Sequence, residues 1–96
     1  MTTIDLDDYV AWLHARGVAD ELLPLYREGS ELVLRHMAAG DAAVEDHHID
    51  AAVDAVAAAG ASARRQANLR AIGAQLQAYV DERDAGSRPA APVTNR

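Results

Sequence analysis

Leu69, Ile72, Leu76, Tyr79 and Val80 recur at i, i+3, i+7, i+10 and i+11. Only an α-helix brings that spacing onto one face, so a long amphipathic helix is the firmest constraint on the fold. The pattern predicts a helix from Ser62, a suitable N-cap, to about Arg83. Three further segments of helical period precede it, each bounded by a helix-stopping residue. The first runs from about Asp5 to Arg16, with Leu6, Tyr9, Val10 and Leu13 as its stripe and Trp12 on the flank. Asp5 suits its N-cap, Asp7 and Asp8 suit the positive end of the helix dipole, and Gly17 ends it.

The second segment spans about Asp20 to Ala39, with Leu22, Leu25, Tyr26, Leu32, Val33 and Met37 apolar. Pro24 places its start at Asp20–Leu23, because proline is tolerated in the first turn of a helix. Gly29 lies mid-segment at a cost of about 1 kcal/mol against Ala, which implies close approach by another helix or a bend. The third segment runs from about Asp46, taken as N-cap, to Ala59, with Ile49, Val53 and Val56 on one face and Gly60 after it. No strand period and no internal repeat is present. The expectation is an all-α, compact four-helix domain over residues 1–84, with a disordered tail over 85–96, where the chain reads AGSRPAAPVTNR.

Composition limits how such a domain holds together. Of the 96 residues 22 are Ala, Phe is absent and Trp occurs once, so large apolar side chains are scarce. A core of this size gives a marginal domain, stable by about 5 kcal/mol, unless Ala-mediated helix packing or a partner surface adds to it. Cysteine is absent, which excludes a disulfide framework, a thiol nucleophile and a Cys-ligated zinc site. No apolar run approaches the roughly 18 residues of a membrane span, and the acidic start MTTIDLDD is unlike a secretory signal. A cytoplasmic protein with no membrane partner is therefore expected. All nine basic residues are Arg, which with the abundant Ala points to GC-rich, bacterial coding.

Charge is unevenly distributed. Nine Arg face fifteen Asp and Glu, for a net charge of −6. From Ala55 to Val80 there is no acid, yet Arg64, Arg65 and Arg70 fall there, so this stretch carries +3 and the remainder −9. Segregation of this kind marks either a binding face for nucleic acid or an acidic protein, or an ordinary solvated helix surface. On a helical wheel Arg64, Asn68 and Gln75 lie on one flank of the apolar stripe and Gln66, Arg70 and Gln77 on the other, with Arg65 close to the stripe itself.

Taken together, the segments resemble the N-terminal core-binding domain of tyrosine recombinases (phage integrases), a SAM-like helical fold. The resemblance rests on Tyr9–Gly17, where an apolar pattern ends in Arg16-Gly17, on Leu22, Tyr26, Val33 and Met37, and on Ser62, Leu69, Ile72, Leu76, Tyr79 and Val80. It covers residues 4–83. It departs from the family at Gly73, where an Arg is frequent, and near Leu23-Pro24, where a Thr is frequent. No catalytic domain follows within the 96 residues, so the resemblance implies no strand cleavage and no enzyme. It does imply DNA contact through the second and fourth helices, with Arg64, Arg65, Asn68, Arg70 and Arg27 as the site residues. Arg suits phosphate and guanine, and Asn suits adenine. Three arginines would bind DNA weakly and with strong salt dependence. The alternative is a protein–protein interaction module of the same fold that does not bind DNA, including a homodimer.

Other clusters point nowhere in particular. His47-His48 with Asp46 and Asp50 offers only two converging ligands, so exposed histidines beside a helix cap are expected, with no metal and no cofactor. Ser30 and Ser62 lack a local base, and the carboxylate pairs lack a second catalytic group.

Overall fold

The computed structural model describes residues 4–38 and 43–87, with side chains to Arg83. Four α-helices carry it: α1 (Leu6–Ala15), α2 (Leu23–Leu34), α3 (Asp46–Ala58) and α4 (Ala63–Ser87), with one 3₁₀ turn at Asp20–Leu22 ahead of α2. No strand occurs among the described residues. The all-α, four-helix expectation is borne out.

Helix α4 is the central element and packs against α1, α2 and α3, while α2 also meets α1 and α3. Its stripe explains why. Leu69, Ile72, Leu76, Tyr79 and Val80 are all buried. Tyr9 and Leu13 of α1, Val33 of α2 and Ile49, Ala52 and Val53 of α3 close over them, with Val44 from the α2–α3 connection. The helix ends follow local chemistry. Asp5 Oδ1 accepts from the backbone N–H groups of Asp7 and Asp8 at 2.9 and 3.3 Å. Ser62 Oγ accepts from Arg65 N at 3.1 Å. Gly17 and Gly60 adopt φ of +91° and +97°, the left-handed conformation that ends α1 and α3.

Two buried glycines set the helix spacing. A Cβ on Gly29 would lie 2.9 Å from both Cδ1 and Cγ2 of Ile72, so the cost of glycine in α2 is tied to close approach by α4. A Cβ on Gly73 would lie 2.7 Å from Ile49 Cγ1, so α3 approaches α4 equally closely. Ala-rich helices with few large side chains bury their apolar surface by this kind of approach.

An aromatic lock joins α1 to α4. Tyr9, Trp12 and Tyr79 meet with centroids 5.3–6.3 Å apart, and the Arg16 guanidinium lies 4.4 Å over the Trp12 ring. Tyr79 donates its phenolic proton to Asp8 Oδ2 at 2.6 Å. Burial and, next, this carboxylate raise the Tyr79 pKa.

Four expectations are revised. Helix α2 ends at Leu34 rather than near Ala39, because the chain must turn back to seat Val44, whose carbonyl accepts from Gln77 Nε2 at 3.2 Å. Glu45, not Asp46, caps α3. His48 is not exposed but 1 % accessible, and its Nδ1 accepts the Glu45 backbone N–H at 2.9 Å. Helix α4 continues to Ser87, past Arg83, since Gly86 alone is a weak stop and Pro89 is the first strong one. The rest of the expected tail, residues 88–96, lies outside the described residues.

Candidate functional site

The expected site residues separate onto three surfaces. Arg70 lies on the α3 side of α4, where its guanidinium meets Asp50 Oδ1 at 2.6 Å. Beside it Gln77 donates to Asp46 Oδ1 at 2.9 Å. Asp46, Ile49, Asp50, Arg70, Ala74 and Gln77 line a shallow cleft of about 310 Å³ between the two helices. Its polar groups pair with one another, and the acids missing from α4 as far as Val80 are supplied by α3. Arg27 lies on α2 and is bound by Asp7 of α1, with Glu31 at 3.8 Å. The Asp7 hydrogen bond comes first among the influences that raise its pKa. Neither Arg70 nor Arg27 is an open cation.

Arg64, Arg65 and Asn68 remain together at the start of α4, exposed, and neither arginine has an ion pair among the described residues. Arg65 and Asn68 stand on the wall of a second groove, of about 220 Å³, between α2 and α4. Its floor is Gly29, Leu69 and Ile72, and its other wall is Leu25, Glu28 and Leu32. At the groove floor Gly29 offers no side chain and Ile72 occupies that space, so α2 and α4 lie close together there.

The sequence pattern assigns Leu22 and Leu25 to the apolar stripe of the second segment, facing the core. They are instead 44 % and 46 % exposed, Leu25 on the groove wall and Leu22 one turn before it. The physical reason is that α2 carries two apolar faces. Leu23, Tyr26, Val33 and Leu34 turn toward the core, whereas Leu22, Leu25, Gly29 and Leu32 recur at i, i+3, i+7 and i+10 on the groove side. That spacing is readable in the sequence as a second stripe, but only the packing reveals which of the two is covered.

Two further polar groups lie in the core. Tyr9 Oη and Ser30 Oγ are buried, and neither has a hydrogen-bond partner among the described residues. Burial pushes the Tyr9 pKa up to about 12. His47 is exposed and lies against buried His48 with centroids 4.0 Å apart and the rings tilted by 46°, so the adjacent histidines face different surroundings. Among the described residues no group of three or more His, Asp or Glu side chains converges as metal ligands would. No described helix is long and apolar enough to cross a membrane. Compared with protein-family models, curated proteins and solved structures, the chain has no significant match in any of the three.

Proposed function

We infer that this chain is a protein-interaction module that works through the α2–α4 face. One observation carries the reading: Leu22 and Leu25 stand exposed beside an open groove with an apolar floor. Exposed large apolar side chains next to a preformed apolar groove are characteristic of protein-binding surfaces. The charge arrangement supports it as well, because a chain of net −6 whose Arg27 and Arg70 are already paired offers little to a polyanion.

The test is site-specific photo-cross-linking in the native cell. A photoreactive side chain at Leu25 is expected to give a protein adduct, and one at Ala71, exposed on another face of α4, to give none. Equal labelling at both positions, or none at Leu25, overturns the reading.

A second reading has its own observation. Arg64, Arg65 and Asn68 form an open polar cluster on α4, the helix that the recombinase core-binding resemblance lays on DNA. In that case the chain is a weak DNA-binding accessory module. Arg64→Ala and Arg65→Ala should each reduce the salt slope of duplex binding by about 0.9 for every phosphate that is no longer neutralised. Arg70→Ala should leave it unchanged, because Asp50 already holds that guanidinium. Absence of binding even at low salt ends this reading.

A further inference from the structure

Most arginines of this acidic chain are engaged within the fold. Arg16, Arg27 and Arg70 meet Glu82, Asp7 and Asp50, and the Arg83 guanidinium lies 5.6 Å over the Tyr79 ring. Arg64 and Arg65 are exposed and have no ion pair among the described residues, although fifteen acids face nine bases in the chain. Arg35, the C-cap of α2, is the other described arginine without one. Arg65 stands with Asn68 on one wall of the α2–α4 groove, and Glu28 stands on the opposite wall. The helical period of α2 sets Leu25 and Leu32 between Glu28 and the line where Gly29 meets Ile72. The groove thus has an apolar middle and two edges of opposite charge.

Its size and surroundings limit what can lie there. A volume of about 220 Å³ is below the roughly 300–1,000 Å³ of sites that enclose small molecules, so it suits side chains of a polypeptide. No strand occurs among the described residues, so no sheet edge is on offer to an extended segment. Laid over Leu25 and Leu32, such a segment would turn backbone N–H and C=O groups toward apolar side chains. A helix satisfies its own backbone and can lay one ridge into the groove between two others. Leu25 and Leu32 are seven residues apart, two turns or about 10 Å, which a helix matches with apolar residues at i, i+3 or i+4, and i+7.

We propose that the α2–α4 groove takes an amphipathic helix of another protein, acidic on the flank beside Arg64 and Arg65 and basic on the flank beside Glu28. The proposal rests on the interaction reading above and adds the chemistry of the partner. The opposite edges also select one direction of binding. A helix turned end for end exchanges its flanks, bringing its acids to Glu28 and its bases to Arg65, and like charges then oppose docking.

The test maps cross-links from the full chain in its native cell to the residue they reach in the partner. Photoreactive side chains at Leu25 and at Leu32 are expected to mark positions about seven residues apart in one segment of one protein. That segment should have a helical apolar period with acids on one flank and bases on the other. A synthetic peptide of the segment should bind the chain, and Arg65→Glu should weaken it by about tenfold. Reversing the facing acid of the peptide to Arg should recover that loss. Arg70→Ala should leave binding unchanged, because Asp50 holds that guanidinium on another face. Far-UV circular dichroism checks that each variant stays folded. Cross-links that map to a second copy of this chain, or to a segment without the helical period or the acids, overturn the proposal and leave the interaction reading standing. Peptide binding that Arg65→Glu does not weaken has the same meaning. No protein adduct at Leu25 overturns both.

Discussion

Replacing Gly73 by Ala adds one methyl group where α3 and α4 are closest. That Cβ would lie 2.7, 2.9 and 3.0 Å from Cγ1, Cδ1 and Cγ2 of Ile49. Carbon atoms pack best at about 3.5–4.0 Å, so the shortest contact is about 0.8 Å too close. Ile49 is buried and sits in a helix, where β-branched side chains are held largely to one χ1 rotamer. Relief must come from moving α3, at an overpacking cost of about 1–3 kcal/mol. Helix propensity opposes this, because Ala is favoured over Gly by about 1 kcal/mol in a helix interior. The net expectation for Gly73→Ala is destabilisation by about 0–2 kcal/mol.

The neighbouring position calibrates the propensity. Ala74 is exposed on the same turn, so Ala74→Gly measures the propensity difference there and leaves the core packing intact. Urea unfolding followed by far-UV circular dichroism gives both values by linear extrapolation. Adding the Ala74→Gly loss to the Gly73→Ala change isolates the packing cost, expected at about 1–3 kcal/mol. A sum near zero would refute the argument, since α4 would then tolerate a side chain facing Ile49. The result also bears on binding. A side chain at Gly73, the position at which the proposed core-binding resemblance would expect Arg, points into the α3–α4 interface. Gly73→Arg should disrupt the fold well beyond Gly73→Ala and add nothing to DNA affinity.

Other expectations follow from individual side chains. Tyr9→Phe removes a buried hydroxyl without a protein partner, so stability at neutral pH should be unchanged or raised by up to about 1 kcal/mol; a loss above that would reveal a satisfied hydroxyl. The Tyr9 pKa is raised in the fold to about 12 from an ordinary 10.0, so the protonated form is favoured. Stability is then full below pH 10 and falls as pH rises from 10 toward 12, and Tyr9→Phe should reduce that alkaline loss in a pH series of urea midpoints. Tyr79→Phe forfeits the bond to Asp8 and should cost about 0.5–1.5 kcal/mol, a cost that an Asp8→Asn background reduces. His48→Leu leaves the Glu45 N–H without its acceptor at the start of α3 and should cost about 1–3 kcal/mol in the same unfolding assay; a neutral or stabilising result would remove His48 from the cap.

That four helices form, and roughly where each begins, was legible in the sequence, because apolar period, capping residues and glycine stops act over a few residues; the ends of α2 and α4 were not. Asp5, Ser62, Gly17 and Gly60 act as their types dictate, and the α4 stripe is buried from Leu69 to Val80. Close helix approach at Gly29 was likewise readable as one of two explanations for a glycine in a helix, and Ile72 decides between them.

Tertiary structure alone decided the rest, because the deciding contacts join residues far apart in the chain. The acid-free stretch looked like a positive surface, yet Asp50, 20 residues earlier, neutralises Arg70 across a helix boundary. Arg27 is similarly claimed by Asp7. His48 was indistinguishable from His47 until α3 packed and buried one of the pair. Most consequentially, α2 carries two apolar stripes, and a linear pattern contains no instruction about which one the core has room for. The bundle covers Tyr26 and Val33 and leaves Leu22 and Leu25 at the surface, beside a groove lined by Gly29 and bordered by Arg65. Local chemistry therefore determined where helices form, while the limited area of a small core determined which apolar face remained for a partner.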